Sequence, residues 1–363
     1  MMNTTIRLNA VGDVMLGDFP LTLGFGVRSS ILKSNDSNIF NGVKHILRNC
    51  DICFGNLETV LSDKDLQQDN IRSVQMRGNP ASVGMLKDAG FNVMSVANNH
   101  AMQHGPEAFT ETIEMLDQGG IVPVGLAREN GRVAPHFMKV KGIMVSFLAY
   151  SLRPEKYSSQ ILYAKSNFSE IVEDIKSCKK ESDLVILSLH WGDEFVQVPS
   201  PAQIQVAHSF VDAGVSLLVG HHPHIMQGIE KYKNSVIAYS LGNFVFDFWQ
   251  NRMRKTIILQ CELSRNGIKS CEYTAAYIKR NYCPEIMNEK QSYDMSIMMK
   301  KLSNKIMITD AGSYCSQIKY DLNVKAALMF NKFENRLYFM RNILRYKKWV
   351  VSQSLKGFVK ARI

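Results

Sequence analysis

Residues 215–230, VSLLVGHHPHIMQGIE, run from a short apolar segment directly into three closely spaced histidines. The apolar segment has the length and the Val/Leu content of a buried β-strand. Because alternate side chains of an extended segment point to the same side, the rings of His222 and His224 can reach a common point beyond the strand. This stretch therefore predicts a strand that presents ligand-binding side chains at its carboxyl end.

Similar apolar runs recur over the first 265 residues and alternate with helical patterns. Phe109, Ile113 and Leu116, for example, share one helical face. Such alternation is typical of an α/β fold in which helices cover a largely parallel or mixed sheet. The candidate strands are residues 6–12, 50–55, 91–97, 121–125, 143–150, 184–190, 215–220, 235–241 and 255–263.

Polar clusters follow most of these candidate strands. In α/β sheets ligands bind beyond the carboxyl ends of the strands, where loops from several strands converge on a rigid base. The clusters are Gly12-Asp13, Gly55-Asn56-Leu57-Glu58, Asn98-Asn99-His100, His190-Trp191-Gly192-Asp193, His221-His222-Pro223-His224 and Gly242-Asn243. We therefore expect them to form one site.

The clusters supply carboxylate, amide and imidazole donors, which suit Mn²⁺, Fe²⁺ or Zn²⁺. Thiolates, which are typical of structural zinc sites, are missing from the clusters, so a metal site here would be of the catalytic type. We interpret His45, His136 and His208 as ordinary core or surface residues. The candidate metal ligands are Asp13, Glu58, Asn99, His190, His222 and His224.

The formal net charge of +10 is concentrated near the C-terminus. Residues 319–363 contain 11 Lys and Arg against two acids, a net charge of +9, which leaves about +1 for the first 318 residues. A nearly neutral body argues against a nucleic-acid enzyme.

The basic C-terminal segment also shows a helical pattern. Apolar residues recur there at three- and four-residue steps, which predicts one long amphipathic helix or two in sequence. They are Leu322, Ala326, Met329, Phe333, Leu337, Met340 and Leu344. Two interpretations stand: this apolar side packs on the body, or the segment attaches peripherally to anionic lipid or to an acidic partner.

The cellular location is predicted from what the sequence lacks. No window of about 18 apolar residues indicates a transmembrane helix, and the N-terminus shows no secretory signal pattern. Seven cysteines, an odd number in a chain of 363 residues that needs no disulfide staples, favour a reducing compartment. We expect a cytoplasmic protein, with peripheral attachment at the inner membrane as the alternative.

Six strings occur in an order that resembles the CapA family of capsule and poly-γ-glutamate synthesis proteins, which is related to the calcineurin-like metallophosphatases. They are GDVMLGD, GNLET, SVANNHAMQHG, LHWGDEF, VGHHPHIMQGIE and AYSLGNFVFD. The resemblance implies a four-layer α/β/β/α sandwich of the metallo-dependent phosphatase type with a C-terminal helical extension. We place this domain at residues 5–265, a mixed extension that packs on it at 266–318, and a basic helical tail at 319–363.

The resemblance also implies roles for single residues. The six candidate ligands would hold two divalent ions, and His100 would be the catalytic donor beside the bond that is cleaved. Secondary or substrate-contacting positions would be Asn56, Asn98, Trp191, Asp193, His221 and Asn243. Met15 and Gln103 depart from the pattern, since the superfamily has His and many CapA relatives have an acid at those points. One tightly bound ion with a labile second is therefore the alternative to two.

The activity implied is hydrolysis of a phosphoester or related linkage by a metal-activated water, in the synthesis or processing of capsule, exopolysaccharide or poly-γ-glutamate. The substrate would be an anionic polymer or a phosphoester. A non-hydrolytic metal-binding accessory protein for assembly or export of an anionic surface polymer is the alternative, because metal binding alone would require the same ligands.

Overall fold

The computed structural model describes residues 4–34, 38–309 and 314–360, and two β-sheets packed face to face form its centre. Residues 310–313 of the predicted extension and 361–363 of the predicted tail lie outside the described residues. The strands are β1 (Ile6–Val14), β2 (Ile52–Leu57), β3 (Val60–Leu61), β4 (Arg77–Gly78), β5 (Val93–Ser95), β6 (Val122–Val124), β7 (His136–Val140), β8 (Ile143–Ser151), β9 (Leu184–His190), β10 (Leu217–His221), β11 (Ile229–Tyr232), β12 (Ser235–Ala238), β13 (Asn243–Val245), β14 (Lys255–Ser264), β15 (Gly267–Ile278) and β16 (Pro284–Ile286).

The first sheet has the order β16-β15-β14-β1-β2-β5-β6, with β13 pairing with β1. β1, β2, β5 and β6 are parallel, whereas β14 runs antiparallel to β1. In β1 only Arg7 is exposed, as expected for a strand covered on both faces. The carboxyl ends of the parallel strands therefore share one edge of this sheet.

The second sheet has the order β11-β12-β10-β9-β8-β7. β8, β9, β10 and β12 are parallel, and an antiparallel strand borders them on each side. The main hydrophobic core includes side chains from both sheets, such as Phe54 and Phe147, whose rings stack with centroids 6.3 Å apart. The two sheets therefore form one sandwich.

Helices cover the sheets. Leu86 and Phe109 join the main core from α4 and α5, and Ile175 and Phe210 form a second core with the other sheet from α6 and α7. The predicted α/β/β/α order is thus confirmed. The helices are α1 (Val27–Lys33), α2 (Lys44–Leu47), α3 (Ile71–Val74), α4 (Ser82–Ala89), α5 (Gly105–Gln118), α6 (Phe168–Glu181), α7 (Pro201–Ala213), α8 (Glu289–Met307), α9 (Tyr314–Arg341) and α10 (Lys348–Lys360), with 3-10 turns at Pro20–Thr22, Asn251–Met253 and Ile343–Arg345.

Residue 265 is not a boundary between structural units. β14 and β15 form an antiparallel hairpin across Asn266, and β16 extends the same sheet. The predicted division after residue 265 is therefore corrected: the strands that follow it belong to the first sheet because they complete its hydrogen bonding.

The C-terminal segment forms two helices, α9 and α10, but its predicted apolar side does not pack on the body. Leu322 is 61% exposed and Met329 is 71% exposed. Other side chains of the same segment are buried instead: Phe339, Tyr346 and Val350 pack around Leu23. In the described parts of the chain no helix combines the length and the apolar character needed to span a bilayer.

A disulfide joins Cys261 and Cys271, which occupy paired positions in β14 and β15. The pairing follows from the hairpin register, because directly opposed strand residues bring their side chains to the same face of the sheet. The sequence spacing of ten residues did not indicate this register.

Candidate metal centre

The strands that carry the candidate ligands come from both sheets and end at the same place. In the first sheet Asp13 of β1 lies opposite Asn56 of β2 and Asn243 of β13. In the second sheet His190, the last residue of β9, lies opposite His221, the last residue of β10. The loops after these ends therefore meet between the sheets, as the polar clusters in the sequence predicted.

Glu58 lies at the centre of this region and is fully buried. Its Oε1 lies 3.7 Å from Nε2 of His190, 3.7 Å from Nε2 of His224 and 3.8 Å from Nε2 of His100. Neither carboxylate oxygen accepts a hydrogen bond from another described residue. A buried ionised carboxylate without a hydrogen-bond donor is costly, and a bound cation would offset that cost for Glu58.

The donor atoms form two groups that share Glu58. One group consists of Glu58, His222 and His224, and the other consists of Asp13, Glu58 and His190. Within each group the donor atoms lie within 4.8 Å of one another, and all of these side chains are buried. Oδ1 of Asn99 lies 2.7 Å from Nε2 of His190, beside the second group. The six candidate ligands are thus brought together, and they fit either one or two divalent cations.

The carboxylates differ in their electrostatics. Burial raises the pKa of Glu58 well above its usual value, and the negative charges of Asp13 and Glu194 raise it further. Burial would also raise the pKa of Asp13, but the His221 imidazole, together with His224 and Asn56, outweighs burial and holds the pKa below its usual value. Glu58 is therefore the carboxylate that lacks a counter-charge, which a bound cation would supply.

Two imidazoles of the site, those of His190 and His222, are held in their neutral form. Burial lowers the pKa of His190 well below its usual value, and the neighbouring ring of His222 adds to the effect. Burial and the nearby His224 and Arg153 lower the pKa of His222 in the same direction. Both nitrogens of His222 lack a hydrogen-bond partner among the described residues. Neutral imidazoles are the form that binds metal ions.

Buried amides position the ligands. Nδ2 of Asn56 donates to Oδ1 of Asp13 at 2.8 Å. Oδ1 of Asn243 lies 3.0 Å from Nδ1 of His224, and Nδ2 of Asn98 donates to the carbonyl of Leu57 at 2.8 Å. Such partners orient metal ligands and fix which imidazole nitrogen faces the ion. Asn56, Asn98 and Asn243 therefore lie in the positions expected for secondary residues.

His221 was predicted to be a secondary residue, and the structure places it against Asp13. Its Nδ1 lies 3.2 Å from Oδ1 of Asp13, and its ring is fully buried. Met15, which stands where the superfamily has a histidine, is buried as well, and its sulfur accepts from the backbone N–H of Gly17. His221, and not position 15, therefore supplies an imidazole beside the first carboxylate.

His100 lies at the edge of the cluster with its side chain 16% exposed. Its Nδ1 lies 2.6 Å from Oε1 of Gln103, so that Nδ1–H can donate to this oxygen and leave Nε2 facing Glu58. Burial lowers the pKa of His100 to about 4, although the bond to Gln103 acts in the opposite direction. Gln103 thus orients His100 without adding a negative charge.

The backbone is strained at two histidines that follow β10 of the second sheet. His222 and His224 have φ angles of +96° and +57°, which residues other than glycine rarely adopt. Across the site, a Cβ at Gly12 would lie 1.9 Å from the carbonyl oxygen of Gly242. Only glycine lets β1 approach this loop so closely and place Asp13 between the sheets.

Trp191 and Asp193, both predicted to be secondary or substrate-contacting residues, have different surroundings. The indole N–H of Trp191 donates to the carbonyl of Tyr239, and the ring stacks on the Tyr239 ring in the second core. The Trp191 side chain is therefore buried in the second core and does not line the cavity next to His222. Asp193 lies at the opening of the site, where it pairs with Arg153 at 3.6 Å and accepts from the hydroxyl of Tyr320.

The sequence reasoning missed the loop after β8 and the contribution of α9. A cavity of about 130 Å³ opens beside the ligands His222 and Asn99. Its rim includes Arg153, Lys156 and Leu328, together with Pro154, Asp193 and Glu194. The string RPEK directly after the strand at 143–150 was a signal that could have been used, since it repeats the pattern of a polar cluster after a strand. Leu328 could not be assigned, because its contact spans more than 100 residues of sequence.

Comparisons with known proteins identify relatives of this chain. The chain matches the family model described as "Bacterial capsule synthesis protein PGA_cap" over residues 7–248. It is 32% identical over 274 residues to the PGA biosynthesis protein CapA of Bacillus subtilis (strain 168), covering 73% of this chain and 69% of that protein. It is 28% identical over 214 residues to a probable polyglutamine synthesis accessory protein of Mycobacterium tuberculosis (strain H37Rv), covering 54% and 56%. Among solved structures, a phosphatase from Mycoplasma pneumoniae aligns with a TM-score of 0.49 and 13% identity, covering 76% of this chain and 94% of that one.

Proposed function

The chain belongs to the bacterial capsule synthesis protein family PGA_cap, and on that premise we propose that it is a metal-dependent hydrolase acting in the synthesis or processing of an anionic surface polymer such as poly-γ-glutamate. The bond cleaved is a phosphoester or a related linkage. The observation that carries the proposal is the carboxylate of Glu58, which is buried without a hydrogen-bond donor and surrounded by imidazole nitrogens at 3.7 to 3.8 Å.

Two divalent ions, Mn²⁺, Fe²⁺ or Zn²⁺, match the donor set, with Glu58 common to both groups. Asp13, Asn99 and His190 would complete one position, and His222 and His224 the other. When bound, such ions make a water molecule nucleophilic near neutral pH and polarise the bond under attack. The protein contributes the neutral imidazoles of His190 and His222, which need not lose a proton before they bind a cation.

His100 is the residue we assign to proton transfer. The hydrogen bond from Nδ1 to Gln103 leaves Nε2 free to accept a proton on the side that faces the ligands. Its low pKa makes the protonated ring a strong acid, so a proton taken up at Nε2 is readily delivered to a leaving group. His100 thus acts first as an acceptor and then as the donor that the family resemblance implied.

The rim carries two cations, Arg153 and Lys156, and two acids, Asp193 and Glu194, of which Asp193 pairs with Arg153. An anionic group would therefore be attracted by Lys156 and by the cations bound at the ligands. Arg153 and Lys156 both border the cavity next to His222, and the cavity volume of about 130 Å³ is small compared with a site for a whole small-molecule ligand. We infer that a single anionic group, such as one phosphate or carboxylate of a longer chain, enters the cavity. The remainder of the substrate would lie outside it.

The proposal is tested by metal analysis of the purified protein and by a hydrolysis screen. The screen covers phosphomonoesters, phosphodiesters and γ-glutamyl amides, with Mn²⁺, Fe²⁺ or Zn²⁺ added in turn. We expect metal-stimulated turnover that His190→Ala abolishes. His208→Ala is the matched control, since His208 pairs with Glu230 outside the site and should leave turnover unchanged.

A second candidate function is a non-hydrolytic accessory role in assembly or export of the same polymer. The observation that favours it is the small cavity of about 130 Å³ beside the ligands, which Leu328 of α9 helps to line. Such a site could hold one anionic group without admitting a bond for cleavage. Metal-dependent binding of poly-γ-glutamate that His190→Ala removes, together with no turnover of any compound in the screen, would favour this role.

A further inference from the structure

The outer face of α9 is an exposed apolar stripe. Leu322, Met329, Phe333 and Met340 are 61%, 71%, 59% and 59% exposed. At about 100° per residue these four side chains point in nearly the same direction from the helix axis. Leu344, just beyond the helix, is 98% exposed. A monomeric protein rarely leaves so many large apolar side chains adjacent to one another in water without a function.

The orientation of this stripe is fixed by contacts on the opposite face of α9. The hydroxyl of Tyr320 donates to Asp193, and Nε2 of Gln250 donates to Asn331. The ring of Tyr338 stacks on Trp249 with centroids 3.7 Å apart. These contacts hold the polar and aromatic side of α9 against the body, so the apolar stripe must face outward.

Basic side chains border the stripe on both sides. Lys325, Lys332 and Arg336 lie on one side and Lys319 and Arg341 on the other, all exposed. The stripe spans 19 residues from Leu322 to Met340, which is about 27 Å along a helix. An apolar centre between two basic borders is the pattern of a helix that lies in the interface of a membrane.

We propose that this face of α9 binds the surface of an anionic lipid bilayer. The apolar side chains would enter the boundary between headgroups and acyl chains, and the lysines and arginines would contact the anionic headgroups. A soluble polyanion would neutralise the basic borders but would offer no apolar phase to the stripe. Pairing with a second copy of this face would bring two sets of basic residues together, which repel each other.

The attachment would place the metal centre beside the membrane. Leu328 lies on the inner side of α9 and lines the cavity next to His222, whereas Met329 points outward. The helix therefore lies between the opening of the site and the lipid surface. This inference concerns the surface of α9 and does not depend on whether the metal centre hydrolyses a substrate.

The test uses the full chain and vesicle sedimentation. Vesicles of phosphatidylcholine alone are compared with vesicles that contain 30% phosphatidylglycerol. We expect sedimentation with the anionic vesicles, at least tenfold weaker partitioning to phosphatidylcholine, and a decrease in binding as salt is added. The double variant Met329→Ser/Phe333→Ser and the variant Lys332→Glu/Arg336→Glu should each lose at least tenfold in partitioning.

The matched control is Tyr293→Ser/Ile297→Ser on α8, where both side chains are also exposed, at 67% and 52%. This variant should bind like the unchanged chain. Failure of the unchanged chain to sediment with anionic vesicles would overturn the proposal, and so would equal losses in the α8 control. It would also be overturned if Met329→Ser/Phe333→Ser abolished self-association in ultracentrifugation, or binding of soluble poly-γ-glutamate, while leaving vesicle binding unchanged.

Discussion

Glu58→Gln should change the stability of this protein in opposite directions with and without metal. The substitution keeps the size of the side chain and removes its negative charge. Without metal, that charge has no counter-ion, and burial keeps the pKa of Glu58 well above its usual value. With metal, the same carboxylate is the one donor that both ligand groups share. A neutral side chain at position 58 is therefore favoured in the metal-free protein, and a carboxylate is favoured in the metal-bound protein.

The magnitudes follow from burial and from the ligand set. An unsatisfied buried group costs about 1–3 kcal/mol, and glutamine should recover part of this cost in the metal-free protein. A ligand at a hundredfold excess over its Kd stabilises the protein by about 2.7 kcal/mol, and a hundredfold weaker affinity reduces this to about 0.4 kcal/mol. We expect at least that loss of affinity, because changes to residues that merely orient a ligand already cost about 10- to 100-fold.

The assay is thermal unfolding of the unchanged chain and of Glu58→Gln in EDTA and in MnCl₂, with calorimetry to measure affinity and stoichiometry. In EDTA the variant should melt at the same temperature or a few degrees higher, and metal should raise the Tm of the unchanged chain far more than that of the variant. Glu230→Gln is the matched control, because Glu230 accepts from His208 and Tyr239 outside the site. It should lower the Tm equally in both conditions.

Two results would refute this reasoning. If Glu58→Gln bound metal with unchanged affinity and stoichiometry, Glu58 could not be a shared ligand. If the variant were strongly destabilised in EDTA, the carboxylate would have a partner in the metal-free protein, and the case for a cation at this point would be lost.

Three further predictions concern the residues around the ligands. His100→Asn should lower turnover by about 10²- to 10⁴-fold with metal content unchanged, since it removes the proton carrier and no ligand; rates within a factor of two of the unchanged chain would exclude this role. Lys156→Gln should raise KM for an anionic substrate about two- to fivefold with little change in kcat, because an exposed cation contributes modestly, whereas the exposed Lys165→Gln should have no effect. Burial and the charge of Asp18 raise the pKa of Asp247 to about 7. The contribution of Asp247 to stability is therefore fully present below its ordinary pKa of 3.8 and is lost as the pH rises through about 7. Asp247→Asn should therefore weaken the fall in Tm between pH 5.5 and 8.5, and a fall as steep as that of the unchanged chain would contradict the assignment.

Nine strands of the two large sheets were predicted from the sequence, whereas β7, β11, β13, β15 and β16 were not. The apolar run at 184–190 matches β9 at both ends, and the run at 255–263 matches β14 within one residue. These strands are buried on both faces, so their composition alone marks them. β15 was not predicted, because it is only partly buried and has a mixed composition of polar and apolar residues. The Asn266-Gly267 turn was the only local signal for it.

Two features could be recognised only in the tertiary structure. The stripe from Leu322 to Met340 was visible as a helical pattern, but periodicity shows that a helix has an apolar side and not whether that side faces the body. Likewise the rim formed by Arg153 and Leu328 joins segments far apart in the chain. Contacts of this kind depend on how separate elements pack, which no local pattern encodes.

The sequence by itself determined which side chains stand at the carboxyl ends of the strands, because a strand's composition and the polar residues that follow it are both local. It thereby identified the ligands Asp13, Glu58 and His190 as candidates for one site. Only the tertiary structure decided that the edges of two different sheets meet, so that Glu58 from the first sheet faces His190 and His224 from the second. The physical reason is that the main core between the sheets sets their relative position, and this packing involves residues distributed over most of the chain.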